Sequence, residues 1–145
     1  MFRTISVMIL LSFGALPAWT DCPLELRSYE DVEGRRMALE FDPPSRDRGP
    51  AVIAVAKLRV PDRGEVGRYE VVARPGYGDV LLVSSEGEHS VYFFTEDLRS
   101  VKTAEGSRLL FIEGLGLADW AHGETPGSRE YPVGDVVWQL AGCKE

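Results

Sequence analysis

Hydrophobic and polar residues alternate in short runs along this chain, and polar turn residues separate the runs. Val, Ile, Leu, Tyr and Phe dominate the runs, which is typical of β-strands. The runs are Leu24 to Tyr29, Met37 to Phe41, Ala51 to Val60, Arg68 to Arg74, Val80 to Ser85, Val91 to Thr95, Arg108 to Ile112 and Val136 to Leu140. We therefore predict an all-β domain of about eight strands.

The longest run indicates which side chains face the interior. Its apolar face carries Val52, Ala54, Ala56, Leu58 and Val60. Lys57 and Arg59 fall on the opposite face, because successive side chains of a strand point to opposite sides of the sheet. In the last run Trp138 alternates with Val136 and Leu140, so we predict that it belongs to the core.

Compact turn signals connect several successive runs. They are Pro61 to Gly64, Pro75 to Gly78 and Glu86 to Glu88. Short loops of this kind join antiparallel strands, whereas parallel strands need a longer crossover connection. The sequence therefore predicts an antiparallel meander of hairpins, folded as a β-sandwich or a partly closed barrel.

Two connections between the runs are long. Residues 96–107 have room for one short helical turn near 96–102, and residues 113–135 contain five Gly and two Pro. Connections of this length in a compact domain usually carry function or move. We therefore regard the loop at residues 113–135 as the first candidate for a functional loop.

Composition and charge narrow the classes of function. The chain has 145 residues, of which 44% are hydrophobic and 27% charged, and this fits a single globular domain. Sixteen Lys and Arg against 23 Asp and Glu give a net charge of -7. Phosphate backbones and anionic membrane surfaces repel such a chain. We therefore expect neither a nucleic acid nor a membrane surface as the partner.

The first residues have the layout of a secretory signal peptide. Arg3 provides a cationic start, and an apolar run from Ile5 to Leu16 ends just before Pro17-Ala18. A run of about twelve residues is too short to span a bilayer. We predict a signal peptide at residues 1–20 and a single β domain at residues 21–145, whose 15 basic and 23 acidic residues give a charge of -8.

The two cysteines, Cys22 and Cys143, lie near the two ends of the predicted mature domain. In an oxidising compartment they permit a single pairing, so we predict a disulfide between them. The alternative is a lipidated Cys22. A lipoprotein signal requires a small residue directly before the cysteine, whereas Asp21 stands there.

Two groups of polar residues contain chemistry that an enzyme or a metal site can use. Asp119, His122 and Glu124 fall within the long loop, but their spacing matches neither a zinc site nor an EF-hand. Ser85 and His89 flank a predicted hairpin tip that also carries carboxylates. The chain has no nucleophile elbow, and a hairpin tip provides no cleft that excludes water. We therefore predict no metal site, no cofactor and no enzyme activity.

Exposed loops remain as candidates for binding a partner. Trp120 lies in a Gly-rich acidic loop, where it serves either as a staple that folds back over the domain or as an anchor in an interface. The candidate partner-binding residues on the two exposed loops are Ser85, Glu86, Glu88, His89, Asp119, Trp120, His122 and Glu124.

The layout of the chain resembles that of periplasmic immunity proteins. These proteins neutralise peptidoglycan-degrading effectors of type VI secretion, in particular muramidases, and the chain is more loosely similar to periplasmic lysozyme inhibitors. In inhibitors of C-type lysozymes a Ser-Gly-x-x-Tyr loop enters the active site. The nearest match runs from Ser85 to Tyr92 and differs from that motif in order and spacing. The resemblance implies a non-enzymatic inhibitor that occludes the groove of a muramidase-type effector, as in a toxin–antitoxin pair.

Two alternatives from other classes stay open. One is a periplasmic module that binds a small ligand or a divalent cation in the mouth of a sandwich or barrel. The other is a small envelope hydrolase, which requires a groove flanked by converging carboxylates. Thirteen Arg against three Lys indicate a GC-rich bacterial coding bias, so with the predicted signal peptide we expect a periplasmic location.

Overall fold

The computed structural model describes residues 21–61, 63–76, 78–116 and 135–145. A 3-10 turn at Leu24–Leu26 is followed by nine antiparallel strands. The strands are β1 (Arg27–Asp31), β2 (Ala38–Asp42), β3 (Val52–Val60), β4 (Gly64–Ala73), β5 (Val80–Ser84), β6 (Gly87–Phe94), β7 (Ser100–Val101), β8 (Leu109–Ile112) and β9 (Val137–Cys143).

Eight of these strands close into a barrel. Their order is β5-β4-β3-β2-β1-β9-β8-β6, and β6 pairs again with β5 to complete the circle. The pairing that closes the barrel runs from Val80 opposite Val91 to Ser84 opposite Gly87. The short strand β7 pairs only with the end of β6. The all-β antiparallel prediction is thus confirmed, and the barrel is closed rather than partly open.

The interior of the barrel is filled by side chains. The largest fully buried apolar residues on the inner face are Trp138, Tyr29, Phe41, Met37, Leu39, Leu82, Leu110 and Ile112. Tyr29 and Phe41 pack edge to face with their ring centroids 5.7 Å apart. An eight-stranded barrel has an interior just wide enough for such side chains. The predicted core position of Trp138, with Val136 and Leu140, is confirmed.

The predicted inner face of β3 is confirmed from Ala54 onward. Ala54, Ala56, Leu58 and Val60 are buried and Arg59 is exposed, whereas Val52 lies before a register shift and is only half-buried. The three predicted hairpins connect β3 with β4, β4 with β5, and β5 with β6. Residues 96–102, where the sequence left room for a helical turn, instead hold a tight turn followed by β7.

A buried arginine organises the barrel end at which β1 begins. The side chain of Arg27 is fully buried and points inward, in line with Tyr29 and Asp31. Its Nε donates to the carbonyl oxygen of Cys22 at 2.8 Å, and its Nη1 donates to the carbonyl and hydroxyl oxygens of Ser107 at 3.2 Å each. Asp21 forms an ion pair with the same guanidinium group. A buried cation is tolerated only when its donors and its charge are satisfied in this way.

The predicted disulfide joins Cys22 to Cys143 across this same barrel end. Cys143 lies opposite Arg27 in the pairing of β1 with β9, so the covalent bond holds the chain segment that supplies two partners of Arg27, Asp21 and Cys22. Stable disulfides form in oxidising compartments such as the periplasm or the extracellular space.

Removal of the disulfide tests how much it contributes to stability. The bond closes a loop of 121 residues, so replacing both cysteines with Ser should lower the free energy of unfolding by about 2–5 kcal/mol. Urea unfolding with and without a thiol reductant measures the change, and the double variant serves as the reductant-insensitive control. Equal stability of the reduced wild type and the oxidised wild type would contradict the role assigned to this bond.

Candidate functional site

The hairpin between β5 and β6 is the most exposed predicted site in the described part of the chain. Ser84 pairs with Gly87, which leaves Ser85 and Glu86 as the two residues of the turn. The backbone N–H of Glu86 donates to the hydroxyl of Ser84 at 3.2 Å. Ser85, Glu86 and Glu88 are exposed. These residues form the exposed end of a two-stranded hairpin and carry two carboxylates. We call residues 85–88 the acidic tip.

His89 is not part of the exposed tip, and the expectation that it is accessible was wrong. The residue is only 8% exposed, because its side chain alternates onto the inner face opposite Leu82. The Nδ1 atom lies 3.1 Å from the carbonyl oxygen of Glu113, and the ring packs edge to face against Tyr69 at 6.3 Å. His89 therefore fastens the base of the acidic tip to the end of β8.

Glu113 ties the end of β8 to β6 in two further ways. Its N–H donates to the carbonyl oxygen of Ser90 at 2.9 Å, and its carboxylate accepts a hydrogen bond from the Tyr92 hydroxyl at 2.9 Å. This carboxylate raises the pKa of Tyr92, because removing the phenol proton would break the bond and place two negative charges together. The acidic tip thus stands on a braced pair of strands.

The long loop begins and ends at the same end of the barrel as the acidic tip. The N–H of Gly116 donates to the carboxylate of Asp135 at 2.9 Å, and Leu115 and Val136 beside them are buried. The topology therefore brings the two predicted binding loops to one end of the barrel. The predicted site residues Asp119, Trp120, His122 and Glu124 lie outside the described residues, so their role stays a prediction.

A groove of about 680 Å³ runs over the outer face of β2 to β5 and reaches the acidic tip. Val55 and Val83 form part of its floor, and Ser84 and Ser85 border its end. Residues 43–50 fold over its other side, where Arg48 and Glu70 form an ion pair at 2.7 Å. The groove combines apolar floor, hydroxyl groups and charges of both signs.

Asp42 is the electrostatic centre of this groove. Its two carboxylate oxygens each lie 2.7 Å from an ammonium group, one of Lys57 and one of Lys144. These two lysines hold the pKa of Asp42 below its ordinary value, and the hydrogen bond from Lys144 is the largest cause. A single carboxylate between two ammonium groups leaves one excess positive charge in an otherwise acidic protein.

The described residues contain no group of three or more His, Cys, Asp or Glu side chains placed to hold a metal ion. A helix long and apolar enough to cross a membrane is likewise not found among them.

Sequence reasoning missed the groove and the inward arginine. The contact between Asp42 and Lys144 joins residues 102 positions apart, so no local pattern reveals it. The sequence does contain a signal for Arg27. It lies two residues before Tyr29 in β1, and side chains two apart in a strand face the same side of the sheet. Its charge made an exposed position the natural expectation.

Replacing Asp42 tests the electrostatics of the groove. The Asp42→Asn variant should be less stable than the wild type near neutral pH, because two ammonium groups lose their shared counter-charge. A carboxyl group with a lowered folded pKa stabilises the fold above its unfolded pKa of about 3.9, and this contribution disappears as the pH falls through the folded value. Urea unfolding between acid and neutral pH should show the two proteins converging at low pH.

The Lys144→Met variant is the matched partner change. In this variant the contribution of Asp42 to the free energy of unfolding should depend less on pH, because the hydrogen bond from Lys144 is the largest cause of the lowered pKa. A difference between wild type and Asp42→Asn that stays constant across this pH range would contradict the assignment.

No protein-family model matches the chain, and neither a curated protein nor a solved structure is significantly similar to it.

Proposed function

We propose that this protein is a periplasmic inhibitor of the immunity type, which binds a peptidoglycan-degrading muramidase and occludes its active-site groove. The observation that carries the proposal is the acidic tip, an exposed hairpin turn held on a closed and filled barrel. A short exposed hairpin turn on a rigid body is a shape that fits an enzyme cleft.

Rigidity of the support favours binding without chemistry. The base of the tip is fixed by His89 and Glu113, and the strands behind it belong to a continuous hydrogen-bonded barrel. A loop that is already in its bound conformation loses little entropy on binding. Inhibitor complexes of this pre-organised kind change their backbone little on association.

The charge of the protein favours a basic partner. The whole chain carries a formal charge of -7, and the tip exposes the carboxylates of Glu86 and Glu88, of which Glu88 pairs with Arg74 at 3.1 Å. Complementary charges raise the association rate of two proteins and orient their encounter. Many peptidoglycan-cleaving enzymes are basic, so they are the partner class that fits best.

The compartment is consistent with this partner. The disulfide Cys22–Cys143 indicates an oxidising environment, and peptidoglycan lies in the oxidising periplasm of bacteria with an outer membrane. The proposal includes the signal peptide predicted at residues 1–20. It also includes a non-enzymatic role, which the buried position of His89 supports, because a ring bound to a backbone carbonyl inside the barrel braces the fold.

Charge reversal at the acidic tip tests the proposal. The double variant Glu86→Lys, Glu88→Lys should weaken a 1:1 complex with a muramidase by about tenfold or more, mainly through a slower association rate. The double variant Glu105→Lys, Glu145→Lys is the matched control, because it changes the net charge equally and both residues are exposed at the opposite end of the barrel. Surface plasmon resonance at two salt concentrations measures both rates. Hydrolase activity of the purified domain, or equal binding by both variants, would contradict the proposal.

A second candidate function is the binding of a small polar ligand, and the groove of about 680 Å³ favours it. Its carboxylates, cations and hydroxyl groups suit a ligand that carries charges of both signs, such as a muropeptide. An apolar hollow of about 330 Å³ at the other barrel end, lined in part by Leu24, Ile53 and Phe93, is smaller and less polar.

Thermal unfolding with soluble muropeptides tests this second function. A ligand present at about a hundredfold excess over its Kd should stabilise the wild type by roughly 3 kcal/mol. The Val55→Trp variant places an indole on the groove floor and should lose that effect. No stabilisation of the wild type, or the same stabilisation of both proteins, would exclude ligand binding in the groove.

A further inference from the structure

The outer face of three adjacent strands is apolar. In one row Tyr92 of β6 lies opposite Phe111 of β8, which lies opposite Val137 of β9. In the next row Phe94 lies opposite Leu109. Tyr92 is 44% exposed and the other four are half-buried, so all five reach the surface of the protein. We call these five residues the apolar face.

The opposite side of the barrel is more polar, although Val55 and Val83 line the groove there. There the outer positions of β2, β3 and β4 carry charged side chains such as Glu40, Lys57 and Arg68, which pair across the strands or along them. Strands with one buried face normally alternate between apolar and polar residues. The apolar face departs from that rule, and the interior does not need these side chains because it is already filled.

The turn that directly follows Phe94 carries an exposed leucine. Leu98 is 68% exposed and has a φ of 63°, in the left-handed region where a glycine would be unstrained. The turn is held by a hydrogen bond from the Leu98 N–H to the Thr95 carbonyl oxygen at 3.0 Å and by one from the Arg99 N–H to the Thr95 hydroxyl at 3.1 Å. The hydrogen bonds of this turn are made by the backbone and by Thr95, so the turn itself does not require a leucine at this position.

Carboxylates surround the apolar face and the leucine. Glu88 and Glu113 lie beyond Tyr92, Glu30 lies across β9 from the face, and Glu96 and Asp97 precede Leu98. Arg74 pairs with Glu88 and Arg99 pairs with Asp97, so the rim remains negative overall. Two copies of this acidic chain would repel each other across such a rim, whereas a basic protein would be attracted.

We propose that the apolar face together with Leu98 is the docking surface for the body of a basic muramidase. This inference rests on the proposed inhibitor function and assigns the part of the interface that runs from the acidic tip along β6 to the turn after that strand. The tip and the face share strand β6, which runs from Gly87 to Phe94. An apolar centre with a charged rim is the usual anatomy of a protein interface, and its binding energy comes from a few large apolar side chains.

Leu98→Gly is the decisive variant, because it removes the exposed side chain and also relieves the left-handed backbone. It should leave the Tm unchanged or higher, while the Kd for the muramidase rises about tenfold or more. Tyr92→Thr is the second variant, since threonine is well accepted in a strand. It should also raise the Kd.

Val66→Thr is the matched control for loss of an exposed apolar side chain. Val66 is 38% exposed on β4, on the other side of the barrel. Its replacement should leave the Kd unchanged.

The probes are basic lysozyme-type muramidases of the C-type, G-type and phage-type classes. Their binding to the disulfide-bonded protein is measured by isothermal titration calorimetry.

The outcomes separate the two proposals. Binding of the wild type with an unchanged Kd in Leu98→Gly and Tyr92→Thr would overturn the docking surface and leave the inhibitor function standing. Absence of binding to every muramidase tested would overturn both. A concentration-dependent dimer in sedimentation velocity that Leu98→Gly abolishes would show that the face binds a second copy, and would overturn the proposed partner.

Discussion

The pairing of β5 with β6 is the constraint on which the rest of this structure depends. It closes eight strands into a barrel whose interior is then filled by side chains such as Trp138, Tyr29 and Phe41. In a closed barrel the backbone groups are paired within the circle, and here side chains fill the interior. The surfaces proposed above for recognition accordingly lie on a loop, in an outer groove and on the outer faces of strands.

The two ends of the barrel serve different purposes. At one end the disulfide, the buried guanidinium of Arg27 and its partner Asp21 hold both chain segments in place. At the other end the hairpin of residues 85–88 projects into solvent, and His89 and Glu113 brace its base. Since the inner residues are close-packed, displacement of one end is resisted by the whole barrel. An inhibitor gains from such a body, because its tip meets the enzyme already positioned.

Much of the fold could be predicted because it follows from the local alternation of apolar and polar residues and from the turn residues between the runs. The runs that became strands, the three hairpins and the inward position of Trp138 follow from period-two alternation and turn residues. Closure of the barrel and the pairing of Asp42 with Lys144 depend on contacts distant in sequence, which a local pattern does not encode. The prediction that His89 is exposed was wrong, although the sequence indicated its burial. His89, Val91 and Phe93 are spaced two apart in β6 and therefore lie on the same buried face.

The proposed function on the outside of the barrel requires that the barrel stays shut, and amide hydrogen exchange tests this requirement most directly. If the seam between β5 and β6 is part of one closed circle, the amides that pair Leu82 with His89 should exchange as slowly as those that pair β3 with β4. Fast exchange confined to that seam would show a barrel that opens to its interior. That result would contradict the account, because ligands could then enter the space that the core side chains are taken to fill.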